Sequence, residues 1–217
     1  MSEKKMSRRN FLKTAGIATA AVGVALCGGG AAASTIRKKP EELVTSIDNP
    51  DTTHRVLITY ATRSGTTSGI AQRIADRLGQ KALDIDLKAI EDVTDITSYD
   101  TVLVGSGIRM GRYMSAAMKF IEENANILAM KNFGTFFACM TLVPDNEETR
   151  KEADAYFVPI RQIVSPQFEG AFAGAYIPQY LTLTDRLIMK VLKIEEGDFR
   201  DWNAIDTWAD SVAAEIV

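Results

Sequence analysis

Arg55-Val-Leu-Ile-Thr-Tyr-Ala-Thr-Arg-Ser-Gly-Thr-Thr67, or RVLITYATRSGTT over residues 55–67, decides how the rest of the chain is read. Residues 55–60 form a branched, mostly apolar run, the pattern of a strand covered on both faces. The chain then presents four hydroxyl side chains, Thr62, Ser64, Thr66 and Thr67, with Arg63 and Gly65 between them. Behind this turn, Ile70, Ile74 and Leu78 recur on one side of a helix over about 67–79, opposite Gln72, Arg73, Asp76 and Arg77. A strand, a hydroxyl-rich turn and a helix in that order aim backbone N–H groups and the positive end of the helix dipole at one spot. That spot suits a phosphate. Gly65 lets the backbone come close to it.

Downstream, apolar runs alternate with helical periods. Strands are expected at 83–87, 100–105, 132–138 and 168–175, and helices at 114–125, 146–163 and 202–216. Thr101-Val-Leu-Val-Gly105 and Phe133-Gly-Thr-Phe-Phe-Ala138 are apolar on both faces, as buried parallel strands are. Asp145 or Asn146 caps the helix that follows it, and Asp201 caps the last one, whose Trp202, Ile205, Trp208, Ala209 and Val212 turn inward. The alternation predicts an α/β fold with a doubly wound, five-stranded parallel sheet between two helical layers.

The turn is not a P-loop, because it lacks G-x-x-x-x-G-K-[ST] and contains no lysine. A dinucleotide fingerprint is also missing there. The nearest run, Gly105-Ser-Gly107-Ile-Arg-Met-Gly111, follows a later strand with the wrong spacing. Thr62-Arg63-Ser64-Gly65-Thr66-Thr67 instead matches the [ST]-x-[ST]-G-x-T phosphate loop of flavodoxins at every fixed position, so the chain resembles that family. The resemblance implies a flavodoxin-like fold and FMN as cofactor, held at the carboxyl ends of the strands where the strand order reverses.

Two further loops should then border the flavin ring. One contains Ser106, Gly107, Ile108, Arg109, Met110 and Gly111, and the other Met140, Thr141 and Leu142. Gly105, Ile108, Arg109, Gly111 and Ser115 resemble the G-A-S-I-R-x-G-x-x-x-S loop of the quinone-coupled protoporphyrinogen oxidases. "FAGAYIPQY", "DRLIMK" and the Asp-Trp pair at 201–202 continue that likeness over about residues 55–216. It implies an oxidoreductase that moves electrons from a reduced tetrapyrrole through FMN to a quinone. The chain is shorter than those proteins between Lys193 and Trp202, and the other function considered is an exported flavodoxin-like carrier exchanging electrons with partner proteins.

Arg63, Arg109 and Arg112 place positive charge in or beside the loops. One such charge about 5 Å from a reduced flavin anion, at an effective dielectric near 20, contributes roughly 3 kcal/mol before screening and raises its potential. Arg109 is the catalytic candidate, steadying the reduced ring or a substrate carboxylate. Tyr113, Tyr176 and Tyr180 either wall the substrate opening or simply pack in the core, packing being the more usual place for such residues. Leu183, Leu187, Ile188, Val191 and Leu192 share one side of a helix whose Arg186, Lys190 and Lys193 lie away from it, a pattern that more often covers a core and also suits peripheral contact with an anionic membrane.

The 217 residues are 46% hydrophobic, enough for one domain with a core, and a net charge of -3 argues against nucleic acid as a partner. Cys27 and Cys139 make neither a disulfide framework nor a zinc site, and Cys139 falls in an apolar strand. The single histidine, His54, stands before the first strand as a solvated residue, and no metal site is expected.

The leader, residues 1–33, resembles a twin-arginine export signal. Ser7-Arg8-Arg9-Asn10-Phe11-Leu12-Lys13 follows S-R-R-x-F-L-K, an Ala/Gly-rich run comes next, and Ala31-Ala32-Ala33 suits signal peptidase. Thr14–Leu26 would span about 20 Å as a helix, short for a hydrocarbon core of about 30 Å. No charge follows until Arg37, so cleavage and retention as an anchor both stay open, while Leu26 before Cys27 disfavours a lipoprotein. Export leads to the periplasm or the outer face of the cytoplasmic membrane. Residues 34–54 read as a polar linker, and residues 55–217 as the folded domain.

Overall fold

The computed structural model describes residues 43–49, 52–81, 83–191 and 194–217, so the leader, Cys27 and much of the stretch 34–54 lie outside the described residues. In chain order the elements are β1 (Thr45–Ile47), β2 (Arg55–Ala61), α1 (Thr66–Gly79), β3 (Asp84–Ala89), β4 (Thr101–Arg109), β5 (Arg112–Tyr113), α2 (Ser115–Leu128) and β6 (Asn132–Cys139). They continue with α3 (Glu147–Asp154), α4 (Val158–Ile163), β7 (Phe168–Ala173), β8 (Ala175–Tyr176), α5 (Leu183–Val191), β9 (Gly197–Asp198) and α6 (Trp202–Ile216).

The main sheet runs β1-β3-β2-β4-β6-β7, and from β3 to β7 every pairing is parallel. Strand order reverses between β2 and β4, so their carboxyl ends flank the crevice where a doubly wound sheet binds its ligand. Val56, Ile58 and Tyr60 face one core with Ile70, Ile74, Ile205 and Ala209 from α1 and α6. Leu57, Val102, Val104, Phe133 and Phe137 face the other with Ala117, Ile121 and Ile160 from α2 and α4. Side-chain alternation along each strand thus fills two cores at once, giving three layers.

Three features depart from the expectations. First, the linker expected over 34–54 contributes an antiparallel edge strand, with Thr45, Ser46 and Ile47 opposite Leu87, Asp86 and Ile85. Ile47 packs against the first core, where Gly79 leaves it room: a Cβ there would lie 2.7 Å from its Cδ1. Second, the helix expected over 146–163 is broken into α3 and α4 by a turn at 155–157. Pro159, in the first turn of α4, has no N–H to donate, and in a continuous helix its ring would crowd the carbonyl of residue 155. Asn146 caps α3 through a box in which its side chain accepts from Thr149 N and Thr149 Oγ1 accepts from Asn146 N. Third, His54 is half-buried with its Nε2 2.8 Å from Thr101 Oγ1, at the amino end of the sheet away from the loops.

α1 and α6 are joined by Arg73–Asp206 and Arg77–Asp210 ion pairs, each at 2.6 Å. The Arg77 guanidinium, with Lys81 beside it, holds the Asp210 carboxyl down at about 2. Among the described residues, Thr59 in β2 is the fully buried side chain whose polar atom has no hydrogen-bond partner. Replacing that hydroxyl by a methyl of the same shape removes an unmet desolvation cost. Thr59→Val is expected to raise unfolding stability by about 1 kcal/mol, or roughly 3 °C in a thermal melt.

Residues 181–195 belong to a different compact unit from residues 43–180 and 196–217. Within it, Thr182 caps α5, donating to Asp185 Oδ2 (2.7 Å) and accepting from Asp185 N (3.1 Å). Leu183, Leu187, Ile188 and Val191 are exposed, and Leu192 and Lys193 lie outside the described residues.

Candidate functional site

The hydroxyl loop closes on itself before α1 begins. Gly65 N–H donates to Thr62 Oγ1 (3.1 Å), and Ser64 Oγ lies 3.1 Å from Thr66 Oγ1. Gly65 occupies the cap position with φ 79°, in the left-handed region that glycine enters without a steric penalty. No side chain caps this helix and no acidic residue stands in its first turn. The first-turn amides of Thr66, Thr67 and Ser68 therefore face outward without an intrahelical acceptor, as a phosphate requires. Ser64, Gly65, Thr66 and Ser68 line a cavity of about 170 Å³.

The expected loops do converge here. Parallel register sets Ala61 beside Ser106, Gly107 beside Ala138, and Cys139 beside Ala173, so the turns leave neighbouring strand ends. A Cβ on Gly107 would lie 3.5 Å from Thr67 Oγ1 and 3.7 Å from Met114 Sδ, which brings the second loop against the first. β4 and β5 form a hairpin whose tip, Met110 and Gly111, takes positive φ values of 51° and 75°. Met110 is 85% exposed, and Arg109 and Arg112 flank it, also exposed. Arg63 is half-buried in the first loop.

Several expected site residues take other places. Ser106 is fully buried, and its hydroxyl accepts from Met114 N (2.9 Å) and donates to Gly107 O (3.0 Å), so it braces the hairpin. Leu142 packs into the second core, while Met140, Thr141, Gly107 and Ile108 are half-buried at the strand ends. Tyr113 takes the packing place: it is buried between Phe137 and Phe157, its hydroxyl 3.2 Å from Thr135 Oγ1, and burial pushes that phenol well up. Tyr176 is buried as well, and only Tyr180 of the three lines the cavity. Cys139 is buried in the core as expected, and its thiol is pushed up by desolvation.

Other residues at the site were not legible in the sequence. Tyr156, from the turn between α3 and α4, holds the third loop to the hairpin: its hydroxyl is 2.8 Å from Thr141 Oγ1, and a Cβ on Gly111 would lie 3.8 Å from its ring. Leu43, Ile177 and Arg200 complete the cavity lining. Leu43 is fixed through Tyr60, whose hydroxyl accepts from Leu43 N and donates to Leu43 O, both at 2.9 Å. Thr66 Oγ1 donates to Ala175 O (3.3 Å), tying the loop to β8.

An uncapped helix start, outward amides, a glycine in the left-handed region and clustered hydroxyls form a cradle that fits a flavin phosphate. Among the described residues no group of His, Cys, Asp and Glu is placed to hold a metal ion. No helix among them is long and apolar enough to cross a membrane.

A flavodoxin-domain family model matches residues 57–203, and a twin-arginine translocation signal model matches residues 5–25, which directs the chain to export. The chain is similar to a protein named protoporphyrinogen IX dehydrogenase [quinone] from Leishmania major, 26% identical over 74% of this chain and 75% of that one. It is also similar to the Escherichia coli K12 protein of the same name, 24% identical over 73% of this chain and 94% of the other. The solved structure of two-electron reduced Megasphaera elsdenii flavodoxin shares the fold, with a TM-score of 0.51 at 17% identity, over 73% of this chain and 98% of that one.

Proposed function

The chain belongs to the flavodoxin-domain family, whose cofactor is FMN, and from that premise we propose that it is an exported oxidoreductase passing electrons from a reduced tetrapyrrole to a quinone. The observation that carries this reading is the basic hairpin tip. Arg109 and Arg112 stand exposed on either side of Met110 and Gly111, at the carboxyl end of β4, whose Gly107 comes against Thr67 of the hydroxyl loop. The relatives similar to this chain over about three quarters of its length are named for oxidation of a protoporphyrinogen with a quinone.

In this reading Thr62, Arg63, Ser64, Gly65, Thr66 and Thr67 hold the phosphate, chiefly through first-turn amides. Gly107, Ile108 and Met110 border the ring from one side and Met140 and Thr141 from the other, with Ser106 and Leu142 fixing the backbone beneath them. Bound FMN supplies a two-electron acceptor. Arg109 is the catalytic residue: its planar guanidinium pairs bidentately with a substrate carboxylate and favours negative charge where the electrons arrive. The exposed apolar side of α5, with Arg186 and Lys190 on the same helix, meets the outer face of an anionic membrane, where quinone is reached.

The test is anaerobic oxidation of protoporphyrinogen by the FMN-loaded protein with a soluble quinone, followed by porphyrin fluorescence. Arg109→Gln is expected to keep FMN bound and to lower kcat/KM by about 10- to 100-fold, the loss of one charge-assisted contact of 1.5–3 kcal/mol. Failure of the unaltered protein to oxidise the tetrapyrrole, together with reduction in two separate one-electron steps, would identify a carrier instead.

A further inference from the structure

We propose that Arg200 is a further phosphate-binding residue of the flavin site, a locked guanidinium that makes this chain select the phosphorylated flavin more strongly than the loop alone does. The inference rests on the FMN reading above and concerns a residue that the loop motif does not contain.

Arg200 is held by Asp198 and Trp202. Its Nε and Nη2 donate to Asp198 Oδ1 and Oδ2 at 2.8 and 2.5 Å. Its Cζ lies 4.3 Å from the centre of the Trp202 ring, and its side chain is 14% exposed. One edge of the guanidinium is thereby occupied, which turns Nη1 toward the first turn of α1. A Cβ built on Gly69 would lie 2.5 Å from that nitrogen, so Gly69 leaves the space in which the charge sits. Arg200 lines the same cavity as Ser64, Gly65, Thr66 and Ser68.

The chain also fixes this geometry to the phosphate loop itself. Asp198 is the β-partner of Ala175, whose carbonyl accepts the Thr66 hydroxyl, so a three-link path joins loop and arginine. A guanidinium whose rotamers are already restricted gives up little entropy on meeting an anion. It shares a cavity with Thr66 and Ser68, in the first turn of a helix whose dipole already favours negative charge there. A flavin without phosphate gains nothing from this arrangement.

The experiment measures dissociation constants of FMN and riboflavin for the full chain stripped of flavin, by quenching of flavin fluorescence. Arg200→Gln is expected to weaken FMN by about 10- to 100-fold while leaving riboflavin unchanged, the loss of one hydrogen bond between charged partners. Gly69→Ala, which favours the helix and crowds Nη1 out of its seat, is expected to reduce the FMN preference in the same direction. An unchanged ratio of the two constants in Arg200→Gln overturns the inference. If that variant loses riboflavin and its fold as well, an unchanged ratio in Gly69→Ala overturns it. A wild-type chain that binds neither flavin sinks the FMN reading itself, whereas FMN binding with unaltered ratios sinks only the role of Arg200.

Discussion

Replacing Gly65 by valine is expected to weaken FMN binding by about 100-fold while the domain stays folded. Two effects combine. A β-branched residue at φ 79° is strained by about 1–3 kcal/mol. Relief of that strain rotates the peptide planes on either side, and the amides of Thr66 and Thr67 then leave the common focus that a phosphate needs. Each charge-assisted contact so lost is worth about 1.5–3 kcal/mol, so strain and misaim together exceed the roughly 2.7 kcal/mol that 100-fold requires. Gly65→Asn is the control, because asparagine tolerates the left-handed region; it is expected to keep most of the affinity. The measurement is flavin fluorescence quenching on refilled protein, with far-UV circular dichroism to verify the fold. Valine and asparagine variants of equal, wild-type affinity would show that the cap geometry does not carry the binding.

Phe136→Ala is expected to remove about 3–5 kcal/mol of stability, a large part of the roughly 5–15 kcal/mol that holds a domain folded. Phe136 is fully buried at the middle of β6, its ring 5.8 Å from the centre of Trp208 on α6. The strands beside it are cut away to admit it. A Cβ on Gly105 of β4 would lie 2.4 Å from the ring's Cζ, and one on Gly170 of β7 would lie 3.0 Å from the Phe136 Cβ. Truncation leaves a cavity between three parallel strands and a helix that has no freedom to collapse into it. The pairing with Gly105 also predicts a coupling. Gly105→Ala alone overpacks the sheet, at a cost of about 1–3 kcal/mol, but with Phe136 already removed its methyl enters empty space. Denaturant unfolding of both single variants and the double variant tests this, since simple additivity of the two losses would contradict the packing described.

The strand, the hydroxyl-rich turn and the helix over 55–79 were legible because they are written locally. A branched apolar run, a hydroxyl-rich turn and a 3.6-residue period follow one another within 25 residues, Arg55 to Gly79, and each signal concerns neighbours in the chain. The parallel sheet was legible for a similar reason, since runs apolar on both faces, such as 101–105 and 133–138, have few other uses. β1 was not, because three residues with one apolar member carry no period, and only the exposed edge of β3 makes them a strand. The break between α3 and α4 did leave a mark, Pro159, which outweighs the helical pattern running through it. Tyr113 and Tyr176 look alike to Tyr180 in sequence. Which of them faces a cavity depends on what lies across from each, and Phe137, Phe157 and Thr135 enclose Tyr113.

By itself the sequence determined the alternation of five parallel strands with helices, the hydroxyl-rich turn between the first of those strands and its helix, and the signal that directs export, because each follows from side chains within reach of one another along the backbone. Tertiary structure alone decided that Arg200 turns one nitrogen toward Gly69, that Tyr156 joins Thr141 to the hairpin, and that Gly105 yields to Phe136. Those contacts join residues brought together by strand order and register, as Thr66 and Ala175 are across 109 positions, and no local propensity encodes a distance of that kind.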